Sequence, residues 1–149
     1  MRFEHPKDLR FTCSKCGLCC GDTEKKIRHI LLLKSEAEEI ALQINQPVEN
    51  FTTKNSDKAP YVYEIKKTPE QRKCVFFYAG RCSIYKIRPL VCRFYPFELC
   101  VDKQGACVFK ATSECPGISK VKSCPSNERL EWDFFSALLE LAQARFDAN

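Results

Sequence analysis

Nowhere in this chain do about 18 uncharged apolar residues follow one another, so no segment reads as a membrane-spanning helix. The opening residues Met1, Arg2, Phe3, Glu4, His5 and Pro6 lack the apolar stretch of a signal peptide, and a cytoplasmic location is expected. There is no glycine-rich phosphate loop, no Ser, His and Asp arrangement, and no paired-carboxylate spacing that would recommend hydrolysis. Histidine is scarce: His29 lies inside an apolar run and His5 in the lead, neither at ligand spacing from a cysteine pair. Internal repeats and low-complexity tracts are also missing, and 149 residues at 44% hydrophobic content suit a single domain spanning 1–149.

What the chain has in excess is cysteine, eleven in all. Four fall within eight residues, at Cys13, Cys16, Cys19 and Cys20; Cys74, Cys82 and Cys92 follow among aromatic and arginine residues, then Cys100, Cys107, Cys115 and Cys124. A reducing cytosol disfavours structural disulfides, and an odd count cannot be fully paired, which leaves metal binding as the favoured use. The formal charge of +5 counts those thiols as neutral. Two four-thiolate sites holding zinc or an oxidised 4Fe-4S core would each carry about two negative charges, bringing the total to roughly +1. The basic balance therefore offsets metal sites and does not call for a nucleic-acid partner.

The pattern predicts a small α+β domain, irregular and organised by metal. Residues 1–10 read as an irregular lead, 27–33 as a strand, and Ser35 with Glu38 as a capping box opening a helix through Ala37, Ile40, Ala41 and Ile44 that stops at Pro47. Polar composition marks 51–59 as a loop; Tyr61, Val62, Tyr63 and Ile65 then suggest a strand. Residues 74–78 and 82–85 form a hairpin about Ala79, Gly80 and Arg81, with thiols on both arms. Pro89 and Pro96 limit any helix between them to a turn or two, and a weak hairpin is expected about Gln104 and Gly105. A C-terminal amphipathic helix carries Leu130, Phe134, Leu138 and Leu141 on one stripe.

A two-residue gap lets two sulfurs of a tight turn converge on one soft or borderline metal, and Gly17 supports such a turn. Cys13, Cys16 and Cys19 form a C-x2-C-x2-C run, the opening of bacterial ferredoxin ligation, whose last ligand precedes a proline. Cys115 before Pro116 and Cys124 before Pro125 offer that dipeptide far downstream, so iron and sulfur, as a 4Fe-4S cluster, are favoured over zinc. The string CSKCGLCC, then CVFF from Cys74, GRCSIY from Gly80, Arg88-Pro89, CRFYPF from Cys92 and CPGI from Cys115 resemble the CxxCxxCC family of YkgJ-type cysteine-cluster proteins. That resemblance implies a zinc- or iron-chelating domain. Its eight characteristic cysteines fall on Cys13, Cys16, Cys19, Cys20, Cys74, Cys82, Cys92 and Cys115. Cys100, Cys107 and Cys124 lie outside the set, as additional ligands or buried small side chains.

Arg88 and Arg93 flank Cys92 and can donate to thiolate sulfur or offset its charge, with a salt bridge to Glu98 or Asp102 as the competing use. Tyr85, Phe94, Tyr95 and Phe97 read as packing around the site. Three functions follow. The favoured one is a metal-binding accessory, electron-transfer or cluster-handling protein that acts with a larger protein partner, without independent activity. Similar sequence in flagellin lysine-N-methylases implies a second, cluster-dependent methyl transfer to lysine. A third is a zinc-stabilised interaction module docking through Trp132, Phe134 and Phe135.

Overall fold

Four apolar residues in a row, Ile30 to Leu33, are all buried, and Ile30 and Leu32 belong to the main apolar cluster of the described residues. The computed structural model describes residues 3–4, 9–11, 17–95, 97–101, 103–104, 107–111, 114 and 118–120. In chain order these form strands β1 (Phe3–Glu4) and β2 (Leu9–Phe11), a 3-10 turn (Leu18–Cys20), β3 (Leu31–Leu32), helices α1 (Lys34–Ile44) and α2 (Val48–Phe51), then β4 (Thr52–Lys54) and β5 (Tyr63–Ile65). The hairpin strands β6 (Phe77–Tyr78) and β7 (Arg81–Cys82) come next, followed by a second 3-10 turn (Tyr85–Ile87), α3 (Leu90–Phe94), β8 (Phe97–Val101), β9 (Cys107–Ala111) and β10 (Ile118–Lys120). This is the expected α+β class. Among the described residues the strands make two three-stranded sheets, β3-β5-β4 and β1-β9-β8, and two pairs, β2 with β10 and β6 with β7.

Ile30, Leu32, Ala37, Ile40, Phe51, Ile65, Phe76 and Ile84 share one buried cluster with Cys74, so a thiol is part of the apolar core itself. Phe51 and Phe76 meet edge to face with ring centres 5.3 Å apart, a favoured aromatic geometry. Helix α1 lays Ala37 and Ile40 onto β3 because both fall on one face of a 3.6-residue period. Its start differs from the sequence expectation. The Glu36 carboxylate accepts the Leu33 N–H at 2.8 Å, closing the helix two residues before Ser35. Its other oxygen accepts the Leu90 N–H at 2.6 Å, so one carboxylate joins the first turns of α1 and α3.

Three further expectations are corrected. The strand over 27–33 contracts to Leu31–Leu32, since the N–H and carbonyl of Arg28 bond to Asp22 and Lys67 instead of a neighbouring strand. The loop over 51–59 begins as a strand: β4 pairs antiparallel with β5, and Thr52 is buried with its hydroxyl donating to the Val48 carbonyl. The irregular lead contains β1, parallel to β9, and β2, antiparallel to β10. The hairpin about Ala79 and Gly80 is present, with φ of 50° and 77° at the two turn residues, but its ladder covers only Phe77–Tyr78 and Arg81–Cys82. Cys74 precedes it, bridged to Lys67. The short helix between Pro89 and Pro96 is α3, and the hairpin about Gln104 and Gly105 is the five-residue pairing of β8 with β9. The C-terminal helix lies outside the described residues.

Candidate metal centre

Backbone pairing sets the first thiols in place. Gly17, at φ 77°, starts the turn that closes with the Cys20 N–H donating to the Gly17 carbonyl at 3.1 Å. A Cβ at Gly17 would sit 2.7 Å from the Phe77 ring, so the turn lies directly on the hairpin. Gly21 then bridges Lys73, the Asp22 N–H donates to the Arg72 carbonyl at 3.0 Å, and the Cys74 N–H donates to the Cys20 carbonyl. Residues 20–22 and 72–74 thus run side by side, which brings Cys20 next to Cys74 across more than fifty positions of sequence.

Two other segments complete the group. Cys82 pairs with Phe77 in the hairpin, and Cys92 occupies the middle of α3, whose start Glu36 anchors. Arg28 ties the last segment to the first: its Nε donates to the Cys19 carbonyl at 3.2 Å and its Nη2 to the Val91 carbonyl at 3.1 Å. The guanidinium lies 5.5 Å from the centre of the Tyr95 ring. The stem is fixed by the Asp22 and Lys67 pair at 2.6 Å, both largely buried; Asp22 also accepts the Arg28 N–H, and Lys67 also donates to the Arg28 carbonyl. That pairing holds the Asp22 carboxyl below its usual range.

Cys19, Cys20, Cys74, Cys82 and Cys92 are all free thiols, and Cys19 acts electrostatically on the other four. A hydrogen bond from Cys20, with sulfurs 3.9 Å apart, draws the Cys19 thiol down to about 6, aided by Arg28 and Lys73, and the same bond together with burial pushes Cys20 up. Burial raises Cys74 to about 11, against a hydrogen bond from the Phe76 N–H to its sulfur at 3.5 Å. Cys82 is raised by burial and opposed by the Ile84 N–H and Arg88, while burial raises Cys92 to about 12 against the pull of Arg28. Backbone N–H donors and three cations therefore act on these sulfurs, an environment that stabilises thiolate once a metal displaces the protons.

Among the described residues no three Cys, His, Asp or Glu side chains are gathered tightly enough to hold one ion. Of the eight cysteines implied by the sequence resemblance, five surround this centre and Cys13, Cys16 and Cys115 lie outside the described residues, as does Cys124. Cys100 and Cys107 lie on β8 and β9, in register with Val108 and Val101. Arg88 stacks on Tyr85 at 4.2 Å and bears on Cys82; the Arg93 N–H donates to the Pro89 carbonyl, and the cation that bears most on Cys92 is Arg28. Glu98 pairs with Lys26, and His29 with Glu64 at the surface. Phe94 and Phe97 are buried as expected, whereas Tyr85 is 54% exposed. The sequence reading missed Arg28, although a charge inside an apolar run is a signal, because such a residue is rarely enclosed without partners.

The donor set suits a metal: soft sulfur donors from four separate segments, N–H groups on sulfur, and cations to balance thiolate charge. Residues 12–116 match the CxxCxxCC family, described as "Putative zinc- or iron-chelating domain", and the chain belongs to that family. It is also similar to the uncharacterized protein MJ0661 of Methanocaldococcus jannaschii, 31% identical over 97 residues that make up 61% of this chain and 47% of that protein. The chain thus spans about half the length of the curated relative it matches. No solved structure matches.

Proposed function

We propose that this chain is a metal-binding accessory protein whose thiols hold an iron–sulfur cluster and serve a larger protein system by electron transfer or cluster handling. The observation that carries the reading is that Cys19, Cys20, Cys74, Cys82 and Cys92, from four segments, lie near enough to act on one another electrostatically beside Arg28 and Arg88, with the Cys74 N–H bonded to the Cys20 carbonyl. The C-x2-C-x2-C opening at Cys13, Cys16 and Cys19 supports iron and sulfur over other soft metals. When bound, such a cluster supplies one-electron chemistry at a potential tuned by hydrogen bonds and burial. The chain's part is to bind and shield it. Arg28, Arg88 and Lys73 balance the sulfur charge, the Phe76 and Ile84 N–H groups point at sulfur, and Phe76, Phe77, Ile84 and Val91 exclude water on the core side.

A second reading, a mononuclear zinc site, is favoured by one distance. Two thiolates at about 2.3 Å from a tetrahedral ion lie roughly 3.8 Å apart, close to the 3.9 Å between the Cys19 and Cys20 sulfurs. Anaerobic purification followed by metal and acid-labile sulfide analysis with a visible spectrum separates the two. Iron with sulfide and broad absorption near about 400 nm is expected. Colourless protein with stoichiometric zinc and no sulfide establishes the second reading, and protein holding neither metal removes both. Zinc present only after aerobic preparation does not count for that reading, because oxidised sites can refill with zinc.

A further inference from the structure

The hairpin that delivers Cys82 to the centre has a second face, and that face has no role in the site. In the β6 to β7 pairing, Phe77 opposes Cys82 while Tyr78 opposes Arg81, and directly paired residues project to the same side of a ladder. Phe77 and Cys82 pack against the core, so Tyr78 and Arg81 project to the other side, where Tyr78 is 79% exposed. After the turn at Ser83 and Ile84, Tyr85 is 54% exposed with the Arg88 guanidinium stacked on it at 4.2 Å, and Lys86 beside it is exposed. From 71 to 97 the chain carries six cations, Arg72, Lys73, Arg81, Lys86, Arg88 and Arg93, and not one carboxylate. Among the described residues Arg81 and Lys86 have no acidic partner.

From this chemistry we infer that the exposed hairpin face of Tyr78 and Arg81, together with Tyr85 and Lys86 in the turn that follows it, docks the acidic surface of a partner protein on the side of the hairpin opposite Cys82. Exposed tyrosine and arginine together are the composition of a protein interface core, where rigid rings and planar cations give contact area at low entropic cost. Uncompensated positive charge commits the partner to an acidic surface, since like-charged faces repel and complementary ones steer encounter. Single-stranded nucleic acid is the weaker fit: one face of Tyr85 is already covered by Arg88, which leaves Tyr78 as the single open ring of the four residues where stacking of successive bases uses several. The role of this partner, to exchange electrons or cluster with the centre beneath, rests on the function proposed above; the docking face stands on its own residues.

The test uses the full chain with its metal, and as probe a small plant-type ferredoxin, a protein whose surface is ringed by carboxylates. Binding by titration calorimetry or chemical-shift perturbation is compared at low salt and at about 0.3 M salt, which contracts the Debye length to well under 10 Å. The parent should bind the ferredoxin with an affinity that falls as salt rises. Arg81→Glu/Lys86→Glu and, separately, Tyr78→Ser should each weaken it at least about tenfold. Metal content of each variant must equal the parent's; none of these residues touches the centre, so equal loading also shows that each is folded. Unchanged binding in both variants overturns the inference, as does no binding by the parent. Tighter binding of an oligouridylate than of the ferredoxin, lost in the same variants, assigns the face to nucleic acid. Self-association of the parent abolished by the variants assigns it to a second copy, and either result also overturns the inference. A protein that carries zinc and no sulfide when purified anaerobically and still binds leaves this inference intact while removing the iron–sulfur reading; an iron–sulfur protein that fails to bind does the reverse.

Discussion

Replacing Arg28 with Met removes a cation and five N–H donors while keeping most of the aliphatic stem, and its cost can be worked from the contacts. Two hydrogen bonds from a charged donor to main-chain carbonyls, at 3.2 Å to Cys19 and 3.1 Å to Val91, join the first thiol segment to the helix that carries Cys92. Bonds of this kind contribute about 1.5 to 3 kcal/mol each, and because the site is only half-buried the lower figure applies. The guanidinium above Tyr95 adds about 0.5 kcal/mol. The sum is about 3.5 kcal/mol, which for a chain of this size lowers the melting temperature by roughly 10 °C. A second effect falls on the metal. Arg28 acts on the Cys19 and Cys92 sulfurs; a unit charge taken as about 6 Å from a thiolate, at an effective dielectric constant of about 20, contributes nearly 3 kcal/mol, or about a hundredfold in metal affinity.

Thermal unfolding of metal-free protein reads the first effect, and competition with a chromogenic chelator reads the second. Arg28→Lys separates them, because lysine restores the charge without the fork that spans two carbonyls. It should recover most of the metal affinity and little of the thermal stability. A melting temperature within about 2 °C of the parent for Arg28→Met would show that Arg28 does not join the two segments. Full recovery of both quantities by lysine would show that charge alone matters.

Three other perturbations are expected to act at defined points. Glu36→Ala frees the N–H groups of Leu33 and Leu90 together and should cost about 3 kcal/mol in urea unfolding; because Leu90 starts the helix of Cys92, that thiol should also alkylate faster in metal-free protein. Gly21→Ala would place a Cβ inside contact distance of the Arg72 carbonyl and the Lys73 Cα, both main chain, so the bridge between 20–22 and 72–74 must open. A loss of about 2 kcal/mol with reduced metal retention is expected, and parent-like values would show that the bridge yields freely. Metal-free protein should lose stability as pH rises above about 8.5. Cys74 and Cys92 stay protonated in the fold until about 11 and 12, whereas the unfolded chain ionises earlier; a raised folded value contributes stability below the unfolded one and loses it as pH climbs. Denaturant midpoints at pH 7 and 10 check the sign, and metal-loaded protein, whose thiols have already released their protons, should not follow the same curve.

Local chemistry was legible in the sequence, and most long-range pairing was not. The turn at Ala79 and Gly80 could be read because a two-residue hairpin connection needs positive φ at both positions and glycine supplies one of them. Helix α1 could be read from its period, but its cap could not: Ser35 with Glu38 has the right spacing, yet Glu36 wins because its carboxylate also meets the Leu90 N–H far along the chain. Strand β4 was hidden by polar composition; Thr52 is buried only because β5 and α2 lie beside it. Strands β1 and β2 find their partners at β9 and β10, over a hundred positions away, which no window on the sequence can reveal. The thiol spacing singled out ligand candidates by their chemistry, but not that Cys74 belongs to the apolar core or that Arg28 joins two segments of the centre.

That last arrangement bears on how the centre assembles. The contacts that place the thiols are largely main-chain: Cys74 N–H to Cys20 carbonyl, the Gly21 and Lys73 bridge, and the carbonyls of Cys19 and Val91 on one guanidinium. None of them requires sulfur to be ionised or bound. The apolar cluster of Ile30, Leu32, Ile40, Phe51, Ile65 and Phe76 lies directly behind them, so burying those side chains also fixes the separation of the four thiol segments. Metal then has to turn sulfur atoms on a backbone already close to its final path, a smaller entropic cost than gathering segments from an open chain. The same logic locates the weak point. Among the described thiols, Cys74, Cys82 and Cys92 are raised by burial, Cys20 by its bond to Cys19 and then by burial, and Cys19 alone is lowered, so the metal-free centre resists ionisation. Uptake must therefore release protons, and its rate should rise with pH until the thiols ionise unaided.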